Sequence, residues 1–387
     1  MLLVIVLAQF CATSLWFVSN SIINELRAHF DLVAGSMGYL TSAVQLGFIS
    51  GSLVFAVFAF SDRYNPSKLF FVSALIGAAF NLAITVDANT LFSLIILRFL
   101  TGFFLAGVYP VGLKIVADYY KVGLGGSLGF LVGALVLGTA FPHFTKSLHL
   151  GDSWKMVVIL SSGIAVIGGL LLVLFVPAGP YRKRNKVLDI TAFFKVFKNK
   201  GFRSAAFGYF GHMWELYAFW AFVPVMLATY LNYHPDTQFS ISVWSFLIIG
   251  FGALACVLSG YLSKYFGIKR VAFICLLFSG ICCLISPLLY YIDSSILFIG
   301  FLVFWGLVVI ADSPLFSTLV AQNTRPETKG TALTITNCIG FFITIISIQL
   351  LEFLNRVMDP RYVYVLLAVG PVIGLLLLIK GGVEKEV

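Results

Sequence analysis

Apolar residues in this chain run in long blocks instead of alternating with polar ones. Twelve blocks come close to the ~20 residues a helix needs to cross a bilayer: 2–24, 35–60, 69–87, 92–117, 124–145, 156–176, 203–231, 240–263, 270–291, 296–321, 330–352 and 362–380. Alternating segments of about ten residues, the mark of a membrane β-barrel, are absent. The pattern predicts an all-α integral membrane protein of twelve spans, numbered below in chain order. The first block starts at Leu2, with no basic segment before it and no small-residue cleavage site. It therefore reads as a retained span and not as a signal peptide.

Composition agrees with this pattern. The 387 residues are 60% hydrophobic and 11% charged, against about 25% charged in soluble domains. Mean hydropathy is +1.01. The net charge of +9 would suggest nucleic acid in a soluble protein, but its placement says otherwise. With the N-terminus inside, nineteen of the 25 basic residues fall at inner connections and ends, including Arg63, Lys68, Lys114, Lys121, Lys264, Lys269, Arg270 and eight in the central connection. Outer connections hold Arg27, Lys146, Lys155, Arg356 and Arg361. This asymmetry predicts both termini in the cytoplasm and no nucleic-acid partner. Cysteines 11, 256, 275, 282, 283 and 338 sit in apolar runs without metal-ligand spacing, so they read as small buried hydrophobes. No metal and no cofactor are expected.

The organisation is expected to be a six-helix unit at 1–176, a basic linker at 177–202 and a second six-helix unit at 203–387. Within the linker, Ile190, Phe193, Phe194 and Phe197 follow i, i+3, i+4, i+7 among lysines. That spacing suits a short helix lying on an anionic leaflet; a solvated basic linker is the alternative. The two units repeat. Pro110 and Pro314, Gly126 and Gly330, and Trp16 and Trp220 are each related by a shift of 204, and "SDRYNPSK" aligns with "SKYFGIKR" at 202. Paired six-span repeats are a transporter architecture, with the site expected where they meet at mid-membrane.

At this point the chain resembles the major facilitator superfamily over its whole length. The family's loop signature, G-x-x-x-D-[RK]-x-G-x-[RK]-[RK], survives in part twice. "GYLSKYFGIKR" keeps Gly260, Gly267, Lys269 and Arg270, with Lys264 in place of the acid. "FAFSDRYNPSK" keeps Asp62, Arg63 and Lys68, while Phe58, Asn65 and Pro66 depart. The resemblance implies a cytoplasmic latch at this loop, here altered. "RFLTGFFLAG" resembles the family's R-x-x-x-G motif through Arg98 and Gly102. "GYFGHMWELYAFWAFVP" (208–224), "ADSPLFSTLVA" (311–321) and "GTALTITNCIGFFIT" (330–344) resemble a bacterial branch loosely grouped with nitrate/nitrite and cyanate transporters. Spans 2 and 8 lack the arginines of nitrate transporters, which argues against nitrate. Span 5 has Gly129 and Gly133 at GxxxG spacing without the antiporter Gly-Pro pair, so close helix packing is the expectation. No Walker motif is present, which leaves ATP out as a direct energy source, and no nucleophile–base set suggests an enzyme.

In the family, spans 1, 4, 7 and 10 line the central cavity, and four intramembrane ionisable residues fall on them: Arg98, His212, Glu215 and Asp312. A charged side chain at mid-span costs roughly 2.5–3.5 kcal/mol on insertion scales, so such residues usually face protein or water. His212 and Glu215, three apart, share a helix face. They are expected to face a watered cavity, with a fixed His–Glu pair as the alternative. Arg98 is expected to bind an anionic group, to steady the acid, or to act as a strut between helices. Trp16, Tyr109, Trp214, Tyr217, Trp220 and Trp305 are the expected cavity aromatics, suited to a small organic solute with an apolar body and a small polar or charged group.

The predicted function is alternating-access transport of such a solute by proton-coupled symport, through Glu215 and Asp312. The predicted setting is a monomer in a bacterial inner membrane. The alternatives are a proton-driven exporter of amphipathic compounds and a transporter-like receptor or scaffold.

Overall fold

The computed structural model describes residues 1–120, 124–149, 154–182, 196–325 and 328–380. Among them the chain is helical with no strand. Spans 2, 3, 5, 6, 7, 9 and 11 are Ser36–Val57, Pro66–Leu82, Leu124–Ser147, Trp154–Phe175, Lys200–Tyr233, Ile268–Leu289 and Lys329–Val357. Span 4 is split into Leu91–Leu105 and Tyr109–Tyr119, span 8 into Ile241–Gly250 and Gly252–Phe266, and span 10 into Ser295–Ala311 and Ser313–Gln322. Span 12 runs Pro360–Val363, a 3₁₀ stretch Tyr364–Ala368, then Val369–Lys380. Among the described residues, eleven helices or helix pairs are long and apolar enough to cross a membrane. With spans alternating in direction, both ends fall on the face that carries the 58–65 connection, called inner below.

The first span departs from expectation. Leu2–Thr13 is followed by a turn, then by Val18–Ser21 and Ile23–Phe30. Local chemistry explains the interruption. Thr13 Oγ1 donates to the Gln9 carbonyl (2.8 Å), and Ser14 Oγ donates to those of Cys11 (2.7 Å) and Ser161 in span 6 (3.1 Å). Hydroxyls bonded to the preceding turn compete with the helix ladder. The breaks in spans 4 and 10 are followed at once by Pro110 and Pro314, each in the first turn of the next segment, where a missing N–H costs nothing. The equivalent prolines thus begin equivalent half-helices.

Small residues let spans touch. A Cβ on Gly102 of span 4 would stand 2.0 Å from the Val44 carbonyl of span 2. Gly129 and Gly133 do mark a close contact, against span 8: a Cβ at Gly133 would meet the Ala253 carbonyl at 3.1 Å.

At the inner end Lys114 Nζ pairs with Asp62 and also donates to the Ser61 carbonyl (3.0 Å). Arg182 Nη2, at the start of the linker, donates to the carbonyls of Asp62 (3.0 Å) and Tyr64 (2.7 Å). The Asp62–Arg63 loop is thereby tied to its own half. Gly267, between spans 8 and 9, has φ +83°, which L residues with a Cβ rarely adopt. The expected interfacial helix, with Ile190, Phe193 and Phe194, lies outside the described residues, as do Lys121 and Lys183. Phe197 packs on Phe202, with ring centroids 5.0 Å apart. At the outer end Lys155 donates to Asp87 (2.5 Å), and this contact, with a further one from His29, holds that carboxyl below its usual range.

Candidate functional site

Each intramembrane charge has a specific surrounding. Arg98, fully buried in span 4, faces the interruption of span 1. Its Nη2 donates to the carbonyls of Leu15 (3.1 Å) and Trp16 (2.5 Å), and its Nη1 donates to Asn81 Oδ1 of span 3 (2.9 Å). Asn81 is in turn held by Ser162 of span 6 (3.0 Å). The guanidinium fork thus joins three spans, taking carbonyls that the broken helix turns toward it. Every hydrogen bond recorded for Arg98 stays within the first half, so it does not steady Glu215.

Glu215, on span 7, is equally buried, and its partners are uncharged. Trp305 Nε1 of span 10 donates to Oε1 (2.6 Å), as does Cys283 Sγ of span 9 (3.3 Å), while Ser279 Oγ of span 9 donates to Oε2 (2.9 Å). A carboxylate that accepts from three donors is well satisfied without a cation.

His212 and Asp312 form the remaining pair. Nδ1 of His212 lies 2.7 Å from Oδ1 of Asp312, with the side chains 1% and 0% exposed. His212 Nε2 and Asp312 Oδ2 are buried with no hydrogen-bond partner among the described residues. Asp312 sits at the joint between Ala311 and Ser313 where span 10 breaks. His212 and Glu215 do share a face, as expected. That face meets span 10, where Glu215 accepts from Trp305 and His212 stands at ion-pair distance from Asp312, and the two side chains do not pair with each other. Both are buried inside the second half.

The aromatic residues divide. Trp214 turns away from the first half: its Nε1 donates to the Leu366 carbonyl of span 12 (3.2 Å). Trp305 is spent on Glu215 and packs on Phe219, centroids 4.7 Å apart. Trp16, Tyr217 and Trp220 lie where the halves meet. Trp16 is 5.8 Å from Tyr217 and 5.7 Å from Phe341, and Phe48 is 4.6 Å from Phe341. Phe17 is 6.3 Å from Tyr217 and 6.4 Å from Trp220. Tyr109 stands half-buried at the break of span 4. Polar contacts between the halves lie further out: Gln349 Nε2 donates to Ser42 Oγ (2.8 Å), and Arg27 Nη2 lies 3.5 Å from Glu352 Oε1, which also faces Arg356 at 3.6 Å.

Sequence reasoning passed over several groups. Gln45 is fully buried with its amide unpartnered among the described residues, and His143 of span 5 is 2% exposed with Nε2 in the same condition. His143 was detectable as an ionisable residue inside an apolar block. Ser279 and Cys283 carried no signal, because small polar residues are common in such helices.

The family model described as Major Facilitator Superfamily matches residues 5–348, and the chain belongs to that superfamily. No curated protein sequence matches it. Among solved structures, the nucleoside transporter NupG (as a mutant) is similar at TM-score 0.73 and 15% identity, covering 98% of this chain and 99% of that one. A bacterial homologue of the human lysosomal transporter Spinster, inward-facing and unoccupied, is similar at TM-score 0.67 and 16% identity, covering 98% and 94%. At these identities the likeness is one of fold. The chain is a transporter of the major facilitator class that moves a solute across a membrane.

Proposed function

We propose that the protein carries a small organic solute by alternating access with a proton moving in the same direction. In this reading it is a monomer in a bacterial inner membrane with both ends in the cytoplasm. The carrying observation is the His212–Asp312 pair. An imidazole and a carboxylate whose Nδ1 and Oδ1 lie 2.7 Å apart, buried and with no other hydrogen-bond partner among the described residues, form a group whose hydrogen bonding changes with one proton. Its position at the joint of span 10 lets that change bias how Ser313–Gln322 sits against Ser295–Ala311. Glu215, with three donors, is the fixed neighbour of this pair and not its partner in coupling. The charge asymmetry of the connections supports the orientation. Cross-half contacts at the outer end support an arrangement closed to the outside, from which the halves must part.

The test is a reconstituted protein with a pH-sensitive dye inside the vesicles. Addition of a transported solute should carry protons inward with it, and Asp312→Asn should abolish this while solute counterflow persists. Unchanged proton movement in Asp312→Asn would remove the proposal. Proton movement opposite to the solute would make the protein an exchanger, and solute binding without counterflow would make it a receptor.

A further inference from the structure

We propose that the aromatic junction between the halves binds a flat, uncharged solute carrying hydrogen-bond acceptors on two edges. The inference rests on the transporter reading and names its substrate class. Trp16, Phe17 and Phe48 come from the first half, and Tyr217, Trp220 and Phe341 from the second. None of the six is charged. Two intramembrane charges border them: Arg98 spends Nη1 and Nη2 on Asn81 and the Leu15 and Trp16 carbonyls, with Nε unpartnered among the described residues, and Glu215 accepts from Trp305, Ser279 and Cys283. An anionic or cationic solute would find no counter-charge among these six residues.

Two groups in the junction ask for a partner. The indole nitrogens of Trp16 and Trp220 can only donate, and both are buried, at 1% and 0% exposure, with no acceptor among the described residues. Leaving buried donors unpaired is costly, and a group so placed needs an explanation. The two tryptophans occupy corresponding positions of the repeat, 204 residues apart, one in each half. Both rings pack on Tyr217, at 5.8 and 5.2 Å. A planar solute with an acceptor toward each indole satisfies one donor from each half. It also replaces ring-on-ring contacts, such as Trp16 over Phe341 at 29°, by similar ones. A puckered sugar ring cannot make that exchange. Because one donor belongs to each half, the same solute ties the halves together, as a substrate that triggers occlusion must.

The full chain labelled with 5-fluorotryptophan gives a direct test, with the two resonances assigned from Trp16→Phe and Trp220→Phe. Nicotinamide and uracil serve as flat uncharged probes, benzoate as a charged one and glucose as a puckered one. Nicotinamide or uracil should shift both resonances and raise the melting temperature of wild type. Each Trp→Phe change should weaken that binding about tenfold, the loss of one hydrogen bond. The proposal is overturned if neither flat probe moves the two resonances, if the Phe variants bind them as tightly as wild type, or if benzoate or glucose alone produces the shifts. Where a Phe variant does not fold, Trp16→Tyr or Trp220→Tyr assigns its resonance and supplies the binding comparison. Binding is read with no pH gradient, so its absence leaves proton coupling through Asp312 standing, and the failure of coupling leaves the binding site standing.

Discussion

The Arg98 and Glu215 sites occupy matching places in the two halves and solve the same packing problem with opposite charges. Arg98 joins spans 4, 1 and 3. Glu215 joins spans 7, 10 and 9, the counterparts of 1, 4 and 3. The difference follows from the backbone. Span 1 is interrupted after Thr13 and turns carbonyls toward the junction, so the junction needs donors and a guanidinium supplies them. Span 7 stays helical through the matching region, where Pro224 withholds a ladder donor from the Trp220 carbonyl alone. Its neighbours bring donors instead, and a carboxylate accepts them. A repeat thus preserves where a polar junction falls while the local helix decides its sign.

Removing either charge tests this account, and the larger effect belongs to the first half. Arg98→Met leaves two backbone carbonyls and the Asn81 carbonyl without their donors. Stability should fall by about 3–5 kcal/mol, the usual cost of breaking a buried charged network, measured by denaturation in mixed micelles. Arg98→Lys should recover only part of this, since an ammonium lacks the planar fork. Glu215→Leu should cost less, about 2–3 kcal/mol, because it orphans neutral donors. Glu215→Gln keeps one acceptor oxygen for Trp305 and Cys283 and turns its NH2 toward the Ser279 hydroxyl, which can accept, so it should cost about 1 kcal/mol. Equal losses for Arg98→Met and Glu215→Gln would show that the two junctions do not differ as described.

Much of this was legible in advance. Long apolar blocks located the spans, and shared spacing brought Pro110 and Pro314 to equivalent helix starts. The three-residue spacing of His212 and Glu215 put both on one helix face, but it did not point to Asp312 and Trp305 as their neighbours. The identity of each partner was not legible. "TSLWF" is as apolar as its surroundings, and nothing in it announces that span 1 breaks and offers carbonyls to Arg98. Ser279 and Cys283 resemble other small residues of span 9 until packing brings them to Glu215. Trp214 is indistinguishable from Trp220 by composition; helix rotation alone sends it toward span 12.

Asp312 separates coupling from stability within the second half. Its carboxylate is less fully partnered than that of Glu215, so Asp312→Asn should change stability by no more than about 1 kcal/mol, while solute-driven proton movement is lost. The comparison fails if Asp312→Asn unfolds the protein as readily as Glu215→Leu.

The smallest expected effect lies at the outer end, where Glu352, 10% exposed, meets arginines that stay partly in water. Glu352 faces Arg27 across the boundary and Arg356 on its own helix, at 3.5 and 3.6 Å, with Arg27 34% and Arg356 42% exposed. Water screens such contacts, and each exposed pair contributes about 0–1 kcal/mol. Glu352→Gln should therefore leave the melting temperature nearly unchanged. It acts between the halves, however, and so on the balance of closed and open states. A difference of about 0.5 kcal/mol corresponds to roughly a twofold change in that balance. A cysteine at Ser42, beside Gln349, should then react about twice as fast with a membrane-impermeant thiol reagent applied outside. High salt should raise the wild-type rate toward that of the variant. Equal labelling rates in wild type and Glu352→Gln would mean that closure is held by the aromatic junction and the span 5–span 8 contact, with the outer charges as bystanders.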